Sequence, residues 1–201
     1  MNDENSDKDS ITINDDLRSY YGDIYFSNAK ANINGDIWAN IVNFGDSSNA
    51  MSLGSITAND IIAQEINFYL PNSANYNDVA LQLTTTGKTD LSSTKRSAFL
   101  GDASNLNGNG AIHLIQTAGR LIAPSTTDVS GVAVNVAGLI NVKANIELDS
   151  TAQNLDLSFK GTSSSSSATA NANSKQLLEN SLAGMIAINE AGNNLVSNLD
   201  N

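Results

Sequence analysis

The chain has 201 residues and a formal net charge of −11, with 10 Lys and Arg against 21 Asp and Glu. The basic residues are scattered, which leaves no electrostatic footprint for nucleic acid and disfavours an anionic membrane surface. With no cysteine, disulfides and thiolate metal sites are excluded, and five Phe, five Tyr and one Trp argue against a compact aromatic core.

Residues 1–10 form a polar leader expected to be disordered. Met1 to Ser10 has no basic n-region and no apolar run, so it does not read as a signal peptide. Export would then make this chain a piece of something longer. No segment has the apolar length of a membrane-spanning helix, so direct membrane insertion is not expected. A hydrophobic share of 40% with only 15% charged residues argues against disorder for the whole chain.

From Ile11, strand-length apolar alternations recur between Asn, Asp and Gly. They include Ile11-Thr-Ile13, Asp23-Ile-Tyr-Phe26, Ala31-Asn-Ile-Asn34, Asp36 to Val42 and Ser52 to Ile56. Asn34-Gly35 marks a turn and Gly45 to Asn49 a loop. The punctuation suggests a solenoid with coils of roughly 20–25 residues, without a strict repeat. A β-sandwich also uses many short strands, but small and β-branched inward residues favour the solenoid. Asn34, Asn43, Asn59 and Asn67 are candidates for amide ladders between stacked coils. Aspartates at turns bond their own backbone, and that reading of Asp15, Asp16, Asp23 and Asp36 outweighs a catalytic one.

Further strands are expected at Glu65 to Leu70, ended by Pro71, at Asn77 to Leu83, at Thr89 to Leu91 and around Ala111 to Thr117. His113, the sole histidine, is expected to face solvent in a structural role. Gly108-Asn-Gly110 reads as a turn, not a phosphate cradle. Residues 138–160 alternate cleanly and predict a hairpin about Asp149 to Asn154. A Ser/Ala/Asn-rich linker is expected at 163–173, then a helix at 174–199. Asn173 would cap that helix with Gln176, and Leu178, Leu182, Met185 and Ile186 would form its apolar stripe. No Walker loop, nucleophile elbow or dinucleotide fingerprint occurs. No metal, cofactor or catalytic residue is expected.

The order Asn67-Phe-Tyr-Leu-Pro71, Asp78-Val-Ala-Leu-Gln-Leu83, Ala111-Ile-His-Leu-Ile-Gln-Thr-Ala-Gly119 and the terminal segment Ser174 to Val196 resembles the C-terminal passenger region of bacterial autotransporters. The likeness covers roughly Ile56 to Leu199, and the order of the motifs carries it. The chain ends without the family's membrane barrel, and its Ser163 to Ser167 run is longer than the family pattern. The resemblance implies an all-β fold: a right-handed parallel β-helix over 11–162, closed by C-terminal antiparallel strands and followed by an appended α-helix. It implies a non-catalytic stem with an autochaperone role at the cell surface, partnered by its own C-terminal β-barrel. The folding nucleus would comprise Ile66, Phe68, Leu70, Val79, Leu81, Leu83, Ile112, Leu114, Leu139, Ile146, Leu148, Leu155 and Leu157. The linker helix would thread the barrel in the complete protein and would cap the solenoid in this chain. An alternative is an adhesin that binds host glycan or protein, with Tyr20, Tyr21, Tyr25, Trp38 and Tyr76 as contacts; exposure of Trp38 is required for it. Less favoured is a polysaccharide-degrading β-helix enzyme using the four aspartates.

Overall fold

The computed structural model describes residues 10–27, 30–101, 106, 110–125, 132–136, 140–142 and 144–158, with backbone alone for 132–136 and 140–142. The expected linker at 163–173, the expected helix at 174–199 and Leu139 lie outside the described residues. Within them the protein is all-β, and the strands fall into two seven-stranded sheets, the second including a strand off its main path, and a two-stranded sheet.

The first sheet orders β1 (Ser10–Ile13), β4 (Lys30–Ile33), β6 (Ile56–Ala58), β8 (Val79–Leu83), β11 (Ala111–Thr117), β16 (Asn154–Ser158) and β15 (Asn145–Leu148). Strand β1 begins at Ser10, the last residue of the expected leader. The second sheet orders β14 (Ile140–Val142), β13 (Val132–Val136), β10 (Lys95–Leu100), β7 (Ile61–Leu70), β5 (Ile37–Phe44) and β2 (Leu17–Arg18). Strand β3 (Asp23–Phe26) also pairs with β5. Strands β9 (Lys88–Asp90) and β12 (Arg120–Ile122) form the small third sheet.

Pairing from β1 to β11 in the first sheet, and from β2 and β3 to β13 in the second, is parallel. The chain therefore traverses both sheets once per pass and returns beside its previous pass. Paired residues are 20 apart at Asn14 and Asn34, 24 at Asn43 and Asn67, 30 at Glu65 and Lys95, and 34 at Gln82 and Gln116. The expected spacing of roughly 20–25 thus holds for the early passes and lengthens later.

Register converts this spacing into rows of like residues. Ile11, Ala31, Ile56, Leu81, Ile115 and Leu155 make one row, buried from Ala31 onward. In the second sheet Phe26, Phe44 and Phe68 align and stack, with ring centroids 5.1 Å apart at both steps. Strand β5 bends at Asn40. Ile37 points inward before it and Val42 and Phe44 after it, so the two-residue side-chain alternation changes phase. Neither Asn40 nor Gln64 belongs to the paired register there, and β7 bends at the same place.

Turns stack as well as strands. The Asp16 carboxylate accepts the Asp36 amide at 2.7 Å, the Asp36 carboxylate accepts Asn59 Nδ2 at 2.7 Å, and the Asp60 carboxylate accepts the Thr89 hydroxyl at 2.5 Å. Asn34 donates to Asn14 at 2.8 Å, and Asn67 donates to Asn43 at 3.0 Å, the latter pair being buried. All four asparagines singled out from the sequence bond a neighbouring pass. Gly35 is required by close approach, for a Cβ there would lie 2.5 Å from the Asp16 amide nitrogen.

The far end closes differently. Strand β16 runs antiparallel to β11 and to β15, and β14 runs antiparallel to β13. The expected hairpin forms about Asp149 to Asn154, whose amide and carbonyl pair at 3.0 Å. Ten of the expected nucleus residues (Ile66, Phe68, Leu70, Leu81, Leu83, Ile112, Leu114, Ile146, Leu155 and Leu157) are buried, whereas Val79 and Leu148 are half-buried.

Candidate functional site

The bend at Asn40 leaves a groove on the early passes. Leu17 and Arg18 pair with Ile37 and Trp38, which pair in turn with Ile61 and Ile62. Leu17, Ile37 and Ile61 turn inward, so Arg18, Trp38 and Ile62 form an outward row. The Arg18 guanidinium lies 4.9 Å from the Trp38 ring centroid, forms an ion pair with Asp16 and donates to the Tyr20 hydroxyl at 3.5 Å. The Tyr20 and Asp16 hydrogen bonds hold Arg18 firmly in its charged form. Asp16 sits below the usual carboxylate range, first because it accepts the Asp36 amide and then because of Arg18.

Beside that row run the small residues Ser19, Ala39 and Ala63, and beyond them the chain bends at Tyr20, Tyr21, Asn40 and Gln64. The resulting groove encloses about 540 Å³. Its rims carry exposed aromatic groups: Tyr21 is fully exposed, Tyr20 is 74% exposed and Trp38 39%. The groove volume falls in the range of small-ligand clefts.

Of the five aromatic residues suspected from the sequence, the fold brings Tyr20, Tyr21 and Trp38 together. Tyr25 is exposed but stands on β3, in register with Asn43. Tyr76 lies apart from them, half-buried: its ring packs against the core where Gly110 leaves no space for a Cβ, and burial raises its pKa.

His113 is corrected. It was expected to face solvent, yet its side chain is 17% exposed and its Nδ1 lies 2.6 Å from Asp156 Oδ1. The antiparallel return of β16 supplies both the cover and the partner. Desolvation raises the Asp156 pKa despite the opposing pull of His113. The suspected aspartates do structural work: Asp16 and Asp36 bond neighbouring passes, and Asp15 accepts the following amide at 2.8 Å. Asp23 stands at the start of β3, 3.5 Å from the Tyr25 hydroxyl. Among the described residues no three His, Cys, Asp or Glu side chains gather as a metal set.

Sequence reasoning missed Arg96. It is 8% exposed in the row of Ile24, Val42 and Ile66, donating to the carbonyls of Leu91 and Pro124 at 3.1 and 3.0 Å. Desolvation lowers its pKa. A second hollow of about 520 Å³ lies between the loop at Asp46 and the stacked rings of Tyr69 and Phe99, whose centroids are 4.6 Å apart. No known family model matches the chain, and neither a curated protein nor a solved structure matches it.

Proposed function

We propose that the passes wind as a right-handed parallel β-helix and that the chain is the non-catalytic stem of a secreted bacterial surface protein of the autotransporter type. The observation that carries this reading is the asymmetry of the two ends. At one end β1, β2 and β3 pair in parallel on one side only among the described residues, and Ile11 is 54% exposed. Toward the other end β16, β15 and β14 run antiparallel, and Ile146, Leu155 and Leu157 on β15 and β16 are fully buried. A stack whose described strands turn antiparallel toward its C-terminal end and stay parallel toward its N-terminal end suits folding that starts at the antiparallel end. Each pass then offers the next a buried face and a row of unpaired backbone groups. Emerging first from a membrane pore, that end would fold outside the cell, oppose backsliding and display whatever precedes it. The engaged aspartates favour a stem over an enzyme.

The reading is tested on the gene, downstream of the codon for Asn201. Alternating strands of about 9–11 residues with aromatic girdles would supply the barrel partner. A stop codon at that point would contradict the stem and leave a self-standing β-rich protein.

A further inference from the structure

Two rows cross the early passes at the bend, an outward one of Arg18, Trp38 and Ile62 and, beside it, a row of the small residues Ser19, Ala39 and Ala63. The register sets Arg18 beside Trp38 and Trp38 beside Ile62, and Ala39 beside Ala63, while Tyr20, Asn40 and Gln64 line the groove outside that ladder, the Asn40 amide donating to the Gly22 carbonyl. The groove therefore runs along the stacking direction and repeats at the strand spacing of about 4.8 Å. One wall carries Trp38, one ring face of which is covered by the Arg18 guanidinium, and the apolar Ile62. The other offers the amides of Asn40 and Gln64 and the phenol of Tyr20, with Tyr21 standing free at the open end.

We propose that this groove binds a neutral, extended, β-linked pyranose oligomer, one sugar per pass. A pyranose ring with equatorial hydroxyls has an apolar CH face and a polar rim, which matches the two unlike walls. An extended β-1,4 chain advances by nearly the strand spacing per sugar, whereas α-linked chains curve away. Charge selects a neutral ligand: the one cation in the outward row, Arg18, is tied to Asp16, and the chain carries a net charge of −11. An acidic polymer would meet repulsion without a free cation to offset it. Exposed aromatic rims add contact area at small conformational cost.

The probe is cellotriose titrated into the full chain, read by the emission of Trp38, the single tryptophan. A saturable shift in the millimolar range or tighter is expected, with maltotriose producing none. Tyr21→Ser and Asn40→Ala should each weaken binding about tenfold, the order of one aromatic or amide contact. Tyr21 is fully exposed, so its replacement leaves folding intact, which far-ultraviolet circular dichroism checks. No saturable response to cellotriose overturns the proposal. Equal response to maltotriose, unchanged binding in both variants, tighter binding of polygalacturonate, or capture of an unstructured peptide in preference to the sugar would each overturn it too.

Discussion

The early passes and the late passes solve the same stacking problem in opposite ways. Between β1 and β7 the returns are short, 18 to 25 residues, and neighbouring passes bond one another through side chains. Asn, Asp and Phe repeat in register there. From β8 onward the returns lengthen to 34, and the phenylalanine row ends at Ala98. Arg96 replaces an aliphatic residue in the core, and antiparallel strands finish the sheets. Short equal returns gain order from ladders; long unequal ones gain it from closure. An end pass with a single neighbour is the weak point of any stack, so the open early end should be the labile one.

The largest expected effect breaks the ladder region at its centre. Phe44 stacks on both Phe26 and Phe68 and is fully buried, so Phe44→Ala should cost about 3–5 kcal/mol in denaturant unfolding. A loss below the cost of a surface change would mean the ring stack is not continuous. Next comes the amide ladder. Asn67→Ala removes a buried donor and leaves Asn43 with an unmet acceptor, a cost of about 1–3 kcal/mol. An unchanged midpoint would show the ladder contributes nothing.

Acid should affect both regions through their turns. Asp16, Asp46 and Asp90 are held below the ordinary carboxylate range by hydrogen bonds, chiefly from Asp36, Ser48 and Ser92 respectively. In Asp149 burial pushes upward, but hydrogen bonds from Thr151, Asn154 and Gln153 outweigh it. A lowered folded pKa gives stability above the unfolded value that is lost as pH falls through the folded one. Asp156 is raised, so its deprotonation subtracts stability as pH rises through the carboxylate range. Four groups against one predict a net loss below about pH 4. A thermal midpoint that holds or rises from pH 5 to pH 3 would contradict that balance.

The smallest effect sharpens the contrast in loop tolerance. Two residues inserted between the exposed Ser92 and Ser93 should shift stability by about 0.6 kcal/mol or less, the entropy of a longer loop. The same insertion between Gly35 and Asp36 should do far more damage, because it separates Asp36 from Asp16 and the ladders beyond. Equal costs would erase the distinction.

Strands were legible where apolar and polar residues alternate, as in Ala31 to Ile33 and Leu155 to Ser158. So was the hairpin turn at Asp149. Stack partners were not, because returns of unequal length hide which residues share a row. Phe26, Phe44 and Phe68 look unrelated until the register aligns them. Lys95-Arg96-Ser97 reads as solvent-facing, and only the match of Arg96 to Ile66 puts its guanidinium in the core. For the groove, Tyr20, Tyr21 and Trp38 stood out by type, but the flanking Ala39 and Ala63 carry no signal of their own. Their role comes from the bend at Asn40, where the alternation changes phase.

The most direct test of the unequal ends is denaturant unfolding followed by two probes on one sample. Trp38 fluorescence reports the early passes, and far-ultraviolet circular dichroism reports all the strands. The account predicts that the fluorescence transition falls at lower denaturant than the main dichroism transition, because the open end unravels first. Coincident transitions, or fluorescence changing last, would contradict a stack held from its antiparallel end.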